Sequence, residues 1–71
     1  MKVKGEIKYN SIGLGTWTLV SDTGKVYEIY KPSQDLRKEG LIVEVEGIIR
    51  DDIMTVAMVG KVLEIKELIR N

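Results

Sequence analysis

The sequence predicts an all-β fold: a small five-stranded Greek-key barrel with a short helix between the third and fourth strands. Three observations carry this. Apolar and charged residues alternate in "KVKGEIKY" and again in "LIVEVEGIIR", and period two with one charged side is the pattern of a half-buried strand. Asp22-Thr23-Gly24 separates two apolar segments, which is hairpin chemistry. Gly5 and Gly47 fall on the inward sides of the first and fourth strands, where a missing side chain lets a strand bend sharply.

Taken in order, the first strand places Val3, Ile7 and Tyr9 inward and Lys2, Lys4, Glu6 and Lys8 outward. "NSIGLG" reads as a loop. For "TWTLVSDTGKVYEIY" the register decides which side is apolar. A two-residue Thr23-Gly24 turn would put Val20 opposite Tyr27. A three-residue loop with Gly24 in the left-handed region instead pairs Ser21 with Lys25 and sets Leu19 against Tyr27. The second register collects Trp17, Leu19, Tyr27 and Ile29 on one uniformly apolar side. A buried face specifies register strongly, so Trp17 and Tyr27 are expected in the core.

"KPSQDLRKEG" predicts the short helix, with Pro32 in the first turn, Ser33 as N-cap, Leu36 as apolar anchor and Gly40 as stop. The fourth strand follows, with Leu41, Val43, Val45, Gly47 and Ile49 inward and Glu44 and Glu46 outward. Asp51-Asp52 then reads as a tight turn into "IMTVAMV", whose Met54, Val56 and Met58 would face Ile49, Gly47 and Val45. Gly60 marks a bulge, after which Leu63 and Ile65 point inward. The pattern of "KVLEIKELI" admits a strand or a C-terminal helix, and periodicity leaves both open.

Seventy-one residues are expected to make one domain, residues 1–71, near the lower size for a core without staples. There is no cysteine and no histidine, so neither disulfides nor a zinc site with the usual ligands is expected. No apolar run approaches the roughly 20 residues of a membrane span, and the expectation is a soluble cytoplasmic protein without a membrane partner. Basic and acidic residues balance at 11 each, whereas nucleic-acid binders usually carry a basic excess. Residues 1–31 hold five lysines against three acids, and residues 32–58 hold three basic groups against six acids.

With these elements placed, "GEIKYNSIGLGTWTLVSDTGKVYEIY", "GLIVEVEGIIRDD" and "VAMVGKVLEIKEL" together resemble small prokaryotic OB-fold-like (oligonucleotide/oligosaccharide-binding) domains. The resemblance covers nearly the whole chain and rests on folding residues, with no catalytic motif. It implies an OB-type barrel whose ligands lie across the second and third strands, flanked by the first and fourth inter-strand loops. Oligonucleotides, oligosaccharides and proteins are the ligand classes it implies. On that face this sequence would present Thr16, Thr18, Val20, Val26, Glu28 and Tyr30, with Lys25 and Lys31 at the edges. One aromatic is fewer than a single-strand platform usually stacks on, and an Asp51-Asp52 loop is too short and acidic to clamp a strand.

The candidate ligand face is therefore Tyr30, Lys25, Lys31, Thr16 and Thr18. The Lys2, Lys4 and Lys8 stripe reads as cross-strand charge pairs with Glu44 and Glu46. "GLGT" lacks the ending of a phosphate loop and opens a strand, so it offers no helix N-terminus. Asp51 and Asp52 supply too few oxygens for a hard cation. No residue set assembles a nucleophile or an acid–base pair, so no enzyme, no cofactor and no metal is expected. The fourth and fifth strands, in contrast, would show Ile42, Ile48, Ile53, Ala57 and Val59 outward, and a contiguous apolar strip suggests a partner surface. The expected function is thus a non-enzymatic interaction module that takes a protein partner or weakly self-associates through Ile42, Ile48, Ile53 and Val59. The alternative is single-stranded nucleic acid binding through the face of the second and third strands.

Overall fold

The computed structural model describes residues 1–11, 15–55 and 59–70, and its strands close into a barrel. The elements are β1 (Lys2–Asn10), β2 (Thr16–Ser21), β3 (Val26–Ile29), a 3-10 turn (Gln34–Leu36), β4 (Ile42–Ile49) and β5 (Lys61–Arg70). They hydrogen-bond in the order β1-β2-β3-β5-β4, and β4 returns to β1. All neighbours run antiparallel except β3 and β5, which are parallel.

The β2–β3 hairpin has the register expected of a three-residue loop. Leu19 lies opposite Tyr27 and Val20 opposite Val26, while the Ser21 amide donates to the Lys25 carbonyl at 2.7 Å. Gly24 sits at φ 91°, a left-handed conformation that costs a glycine nothing. The Ser21 hydroxyl adds a side-chain tie, accepting from the Lys25 amide at 3.0 Å. On the other side of β1, Lys2 stands opposite Glu46 and Lys4 opposite Glu44, but the ion pair of Glu46 is with the N-terminal ammonium and that of Glu44 with Arg70, while Lys8 stands opposite Thr18 and 3.8 Å from Glu6.

Val3, Ile7, Leu19, Tyr27, Ile29, Val43, Val45 and Leu63 fill the barrel, and Leu36 of the 3-10 turn packs onto them. Gly5 and Gly47 are buried in the wall. The helix expected from Pro32 to Gly40 is reduced to one 3-10 turn. Ser33 stands at its N-cap but makes no side-chain capping bond.

The largest correction concerns the connection after β4. The two aspartates do make a turn, with the Ile53 amide reaching the Arg50 carbonyl, but no strand follows in the described residues up to Thr55. Met54, expected inward, is 91% exposed. Val56, Ala57 and Met58 lie outside the described residues. The places assigned to that segment beside β4 are taken by β5: Leu63 pairs with Ile49, Ile65 with Gly47 and Leu68 with Val45. The ladder already turns to β5 at its end, where the Arg50 amide donates to the Val62 carbonyl at 2.9 Å.

Closure explains the choice. The last strand must bond to both β4 and β3, and the ten-residue Lys61–Arg70 does both. That segment is therefore a strand, not a helix. Between β4 and β5, the described residues 50–55 and 59–60 form no strand, and Gly60 passes so close to β3 that a Cβ on it would run into the Val26 carbonyl.

Candidate functional site

Alternation along β1 and β2 puts Tyr9 and Trp17 in the inward phase with Ile7 and Leu19, yet both aromatics stand at the end of the barrel. They face each other across the β1–β2 pair, with ring centroids 4.9 Å apart and planes inclined by 59°. Tyr9 is 42% exposed and Trp17 is half-buried against the core. Both were expected as interior residues. The correction has a simple cause: beyond the last closed layer of the barrel, the inward phase opens onto solvent.

A groove of about 490 Å³ runs from this aromatic pair to the end of β3. Tyr9, Trp17, Tyr30, Lys31, Arg37 and Met54 are the side chains that give it its chemistry. Two cations approach the Tyr30 ring, the Lys31 ammonium at 5.3 Å and the Arg50 guanidinium at 5.6 Å from its centroid. Both distances lie within the range of cation–π attraction. Arg37 is fixed at the rim by its Nε, which donates to the Pro32 carbonyl at 3.1 Å. Glu28 also lines the groove, but its carboxylate accepts a hydrogen bond from the Thr55 hydroxyl and is buried.

Arg50 is held from two directions. It makes a bidentate pair with Asp52, Nε to Oδ1 at 2.9 Å and Nη2 to Oδ2 at 2.8 Å. Nη1 donates to Glu64 Oε1 at 2.6 Å, and Lys66 bonds the other Glu64 oxygen at 3.2 Å. The hydrogen bonds from Arg50 pull the Asp52 carboxyl down to about 2 and also lower Glu64, while the guanidinium is held still more firmly charged. This cluster ties the turn at Arg50–Asp52 to β5 and places a permanent cation beside Tyr30.

Among the residues expected on a ligand face, Thr16, Tyr30 and Lys31 line the groove. Thr16 and Thr18 are buried, at 9% and 4% exposure, and the Thr18 hydroxyl is engaged by the Lys8 carbonyl at 2.9 Å. Lys25 is exposed beside the hairpin tip, outside the groove lining. The apolar residues expected as one strip do not share a face. Ile42 and Ile48 are exposed on β4, opposite Glu6 and Glu64. Ile53 lines the aromatic groove and Val59 lies against Val20 and Val26, while Ala57 lies outside the described residues. Part of "GLGT" lies outside them as well.

Sequence reading assigned Trp17 to the core rather than to a stacking site and passed over Tyr9, Arg37, Arg50 and Met54 as site residues. The available signal was positional: Tyr9 and Trp17 lie at strand ends beside the same loop, where a large ring has only half a barrel to enter. Among the described residues no group of three or more acidic or metal-ligating side chains could hold a metal ion, and no helix is long and apolar enough to cross a membrane. Compared with protein-family models, with curated proteins and with solved structures, the chain matches none of them.

Proposed function

We propose that the chain is an OB-type, non-enzymatic binding module that takes a short single-stranded nucleic acid segment in the groove between Tyr9, Trp17 and Tyr30. The observation that carries this reading is the sharing of one groove by a tilted aromatic pair and the cations Lys31 and Arg37. A nucleotide carries both complements, a π-face for stacking and a phosphate for the cations. The strand order β1-β2-β3-β5-β4, closed through β1 and β4, is compatible with an OB-like barrel.

The residues just after the Asp51-Asp52 turn support the same reading, because Ile53 and Met54 come to the groove. A zero net charge sets the scale. With few phosphates neutralised, binding is modest and falls with salt.

Titration of a labelled oligothymidylate at low salt, followed by fluorescence anisotropy, tests the proposal. Saturable binding that is weakened in both Trp17→Ala and Lys31→Glu supports it. Absence of binding at low salt rejects it and returns weight to a protein partner, the reading that rests on exposed Ile42 and Ile48.

A further inference from the structure

Tyr30, Lys31 and Pro32 border two cavities at once. One is the aromatic groove. The other, of about 240 Å³, lies between the 3-10 turn and the outer half of β5, with Leu36, Ile65 and Leu68 as apolar lining and Ser33, Lys66 and Glu67 as polar lining. We infer that the strand does not end in the aromatic groove but crosses the Tyr30–Pro32 ridge, setting one phosphate on Lys31 and the next nucleotide in this second cavity. The inference rests on the nucleic-acid reading of the groove and extends it to a second subsite, which makes the minimal ligand a dinucleotide.

Two observations besides the cavities support the ridge as a contact. Lys31 has φ 44° and is the one non-glycine residue in the left-handed region among the described residues. A side chain is disfavoured there, and a following proline disfavours it further by pressing the preceding residue toward extended backbone. Backbone strain of this kind persists where surrounding structure holds it, and it concentrates at ligand contacts. The holding structure is visible: the Tyr30 amide stays in the ladder, donating to the Leu63 carbonyl at 2.9 Å, so the chain must turn within Lys31 to reach the Leu36 anchor.

The second observation is electrostatic. Lys31 lies on the boundary of both cavities, its ammonium beside the Tyr30 ring, and none of the salt bridges among the described residues includes it. A cation in that intermediate position suits the phosphate that bridges two bases. Glycine in its place would relieve the backbone, which stability reads, and remove the charge, which the salt dependence of binding reads.

The experiment compares thymidine monophosphate, the thymidine dinucleotide and a longer oligothymidylate by calorimetry at low salt. It uses the parent protein, Lys31→Gly and Ser33→Asp. Ser33 is exposed and makes no side-chain capping bond, and aspartate is a favoured N-cap residue, so this change adds a second carboxylate to the one Glu67 already brings to the cavity without disturbing the fold.

The dinucleotide is expected to bind at least about fivefold more tightly than the monophosphate, as roughly 40 Å² of base buried against Leu36, Ile65 and Leu68 would give at about 25 cal/mol per Å². Ser33→Asp should erase that step and leave the monophosphate unchanged. Lys31→Gly should fold with undiminished thermal stability, bind the dinucleotide more weakly and lower the salt slope by about 0.7, one single-strand phosphate contact. A dinucleotide no better than the monophosphate, or unchanged dinucleotide binding in Lys31→Gly, overturns the second subsite while the groove reading stands. Failure of every probe, the longer oligothymidylate included, rejects the groove reading itself.

Discussion

The Arg50 guanidinium lies 5.6 Å from the centre of the Tyr30 ring while its nitrogens are bonded to Asp52 on one side and Glu64 on the other. One side chain thus joins the turn after β4, the middle of β5 and the wall of the groove. Its fork geometry matters, since a lysine ammonium could not serve both carboxylates and the ring in one fixed plane. Arg50→Lys should keep the barrel folded but weaken oligonucleotide binding, whereas a mutation confined to Asp51, which is exposed, should leave binding unchanged. Anisotropy titration of both variants is the check.

The same cluster sets a pH response. Asp52 sits at about 2 in the folded protein because Arg50 donates to it, against about 3.9 for an unfolded aspartate. A depressed carboxyl stabilises the fold above its unfolded value and loses that contribution as pH falls through its folded one. Glu64 is lowered for the same reason and adds to the effect on the acid side. Melting temperature should therefore hold between pH 7 and about 5 and fall between about 4 and 2. Arg50→Gln should flatten that fall. An identical acid profile in both proteins would show that the pairing contributes nothing to stability.

Trp17 is the one tryptophan in the chain, so its emission reports on the groove alone. Being half-buried, it should emit between buried and free indole and be quenched further when an oligonucleotide stacks against it. Trp17→Ala should cost less than the roughly 3–5 kcal/mol of a fully buried aromatic and yet weaken binding by about 1–3 kcal/mol. Emission unaffected by a saturating oligonucleotide would place the ligand elsewhere.

Leu63 is fully buried and fills the place beside Ile49 that a strand directly after Asp52 would have taken. Leu63→Ala should destabilise by about 2–5 kcal/mol, a large share of what a small domain possesses. Met54→Ala, at a position 91% exposed, should be nearly silent in the same denaturant titration. The reverse ranking would restore residues 53–59 as the closing strand.

Ile48 separates the groove reading from self-association. It is 44% exposed on β4, so Ile48→Lys should change stability by no more than about 0.5 kcal/mol. If nucleic acid is the ligand, sedimentation should show both proteins monomeric and oligonucleotide affinity unchanged. Association of the parent that disappears in the mutant would favour the protein-interaction reading instead.

Local chemistry was sufficient for much of this molecule. The alternation in "KVKGEIKY" identified β1 and its buried Val3 and Ile7, and the demand for one apolar side chose the hairpin register that pairs Leu19 with Tyr27. Charge complementarity placed Lys2 and Lys4 beside Glu46 and Glu44. These properties depend on neighbours a few residues apart or on one cross-strand partner, so they are written in the residues themselves. Three others were decided only by the closed barrel. Two apolar segments, residues 53–59 and 61–70, compete for β4 with similar patterns, and the one that can also reach β3 wins. Tyr9 and Trp17 share the inward phase with core residues, and only the height at which the barrel ends makes them a rim rather than a core. Lys31 turns left-handed because the Tyr30 amide and the Leu36 side chain are both already anchored, a constraint between distant contacts that no local pattern encodes.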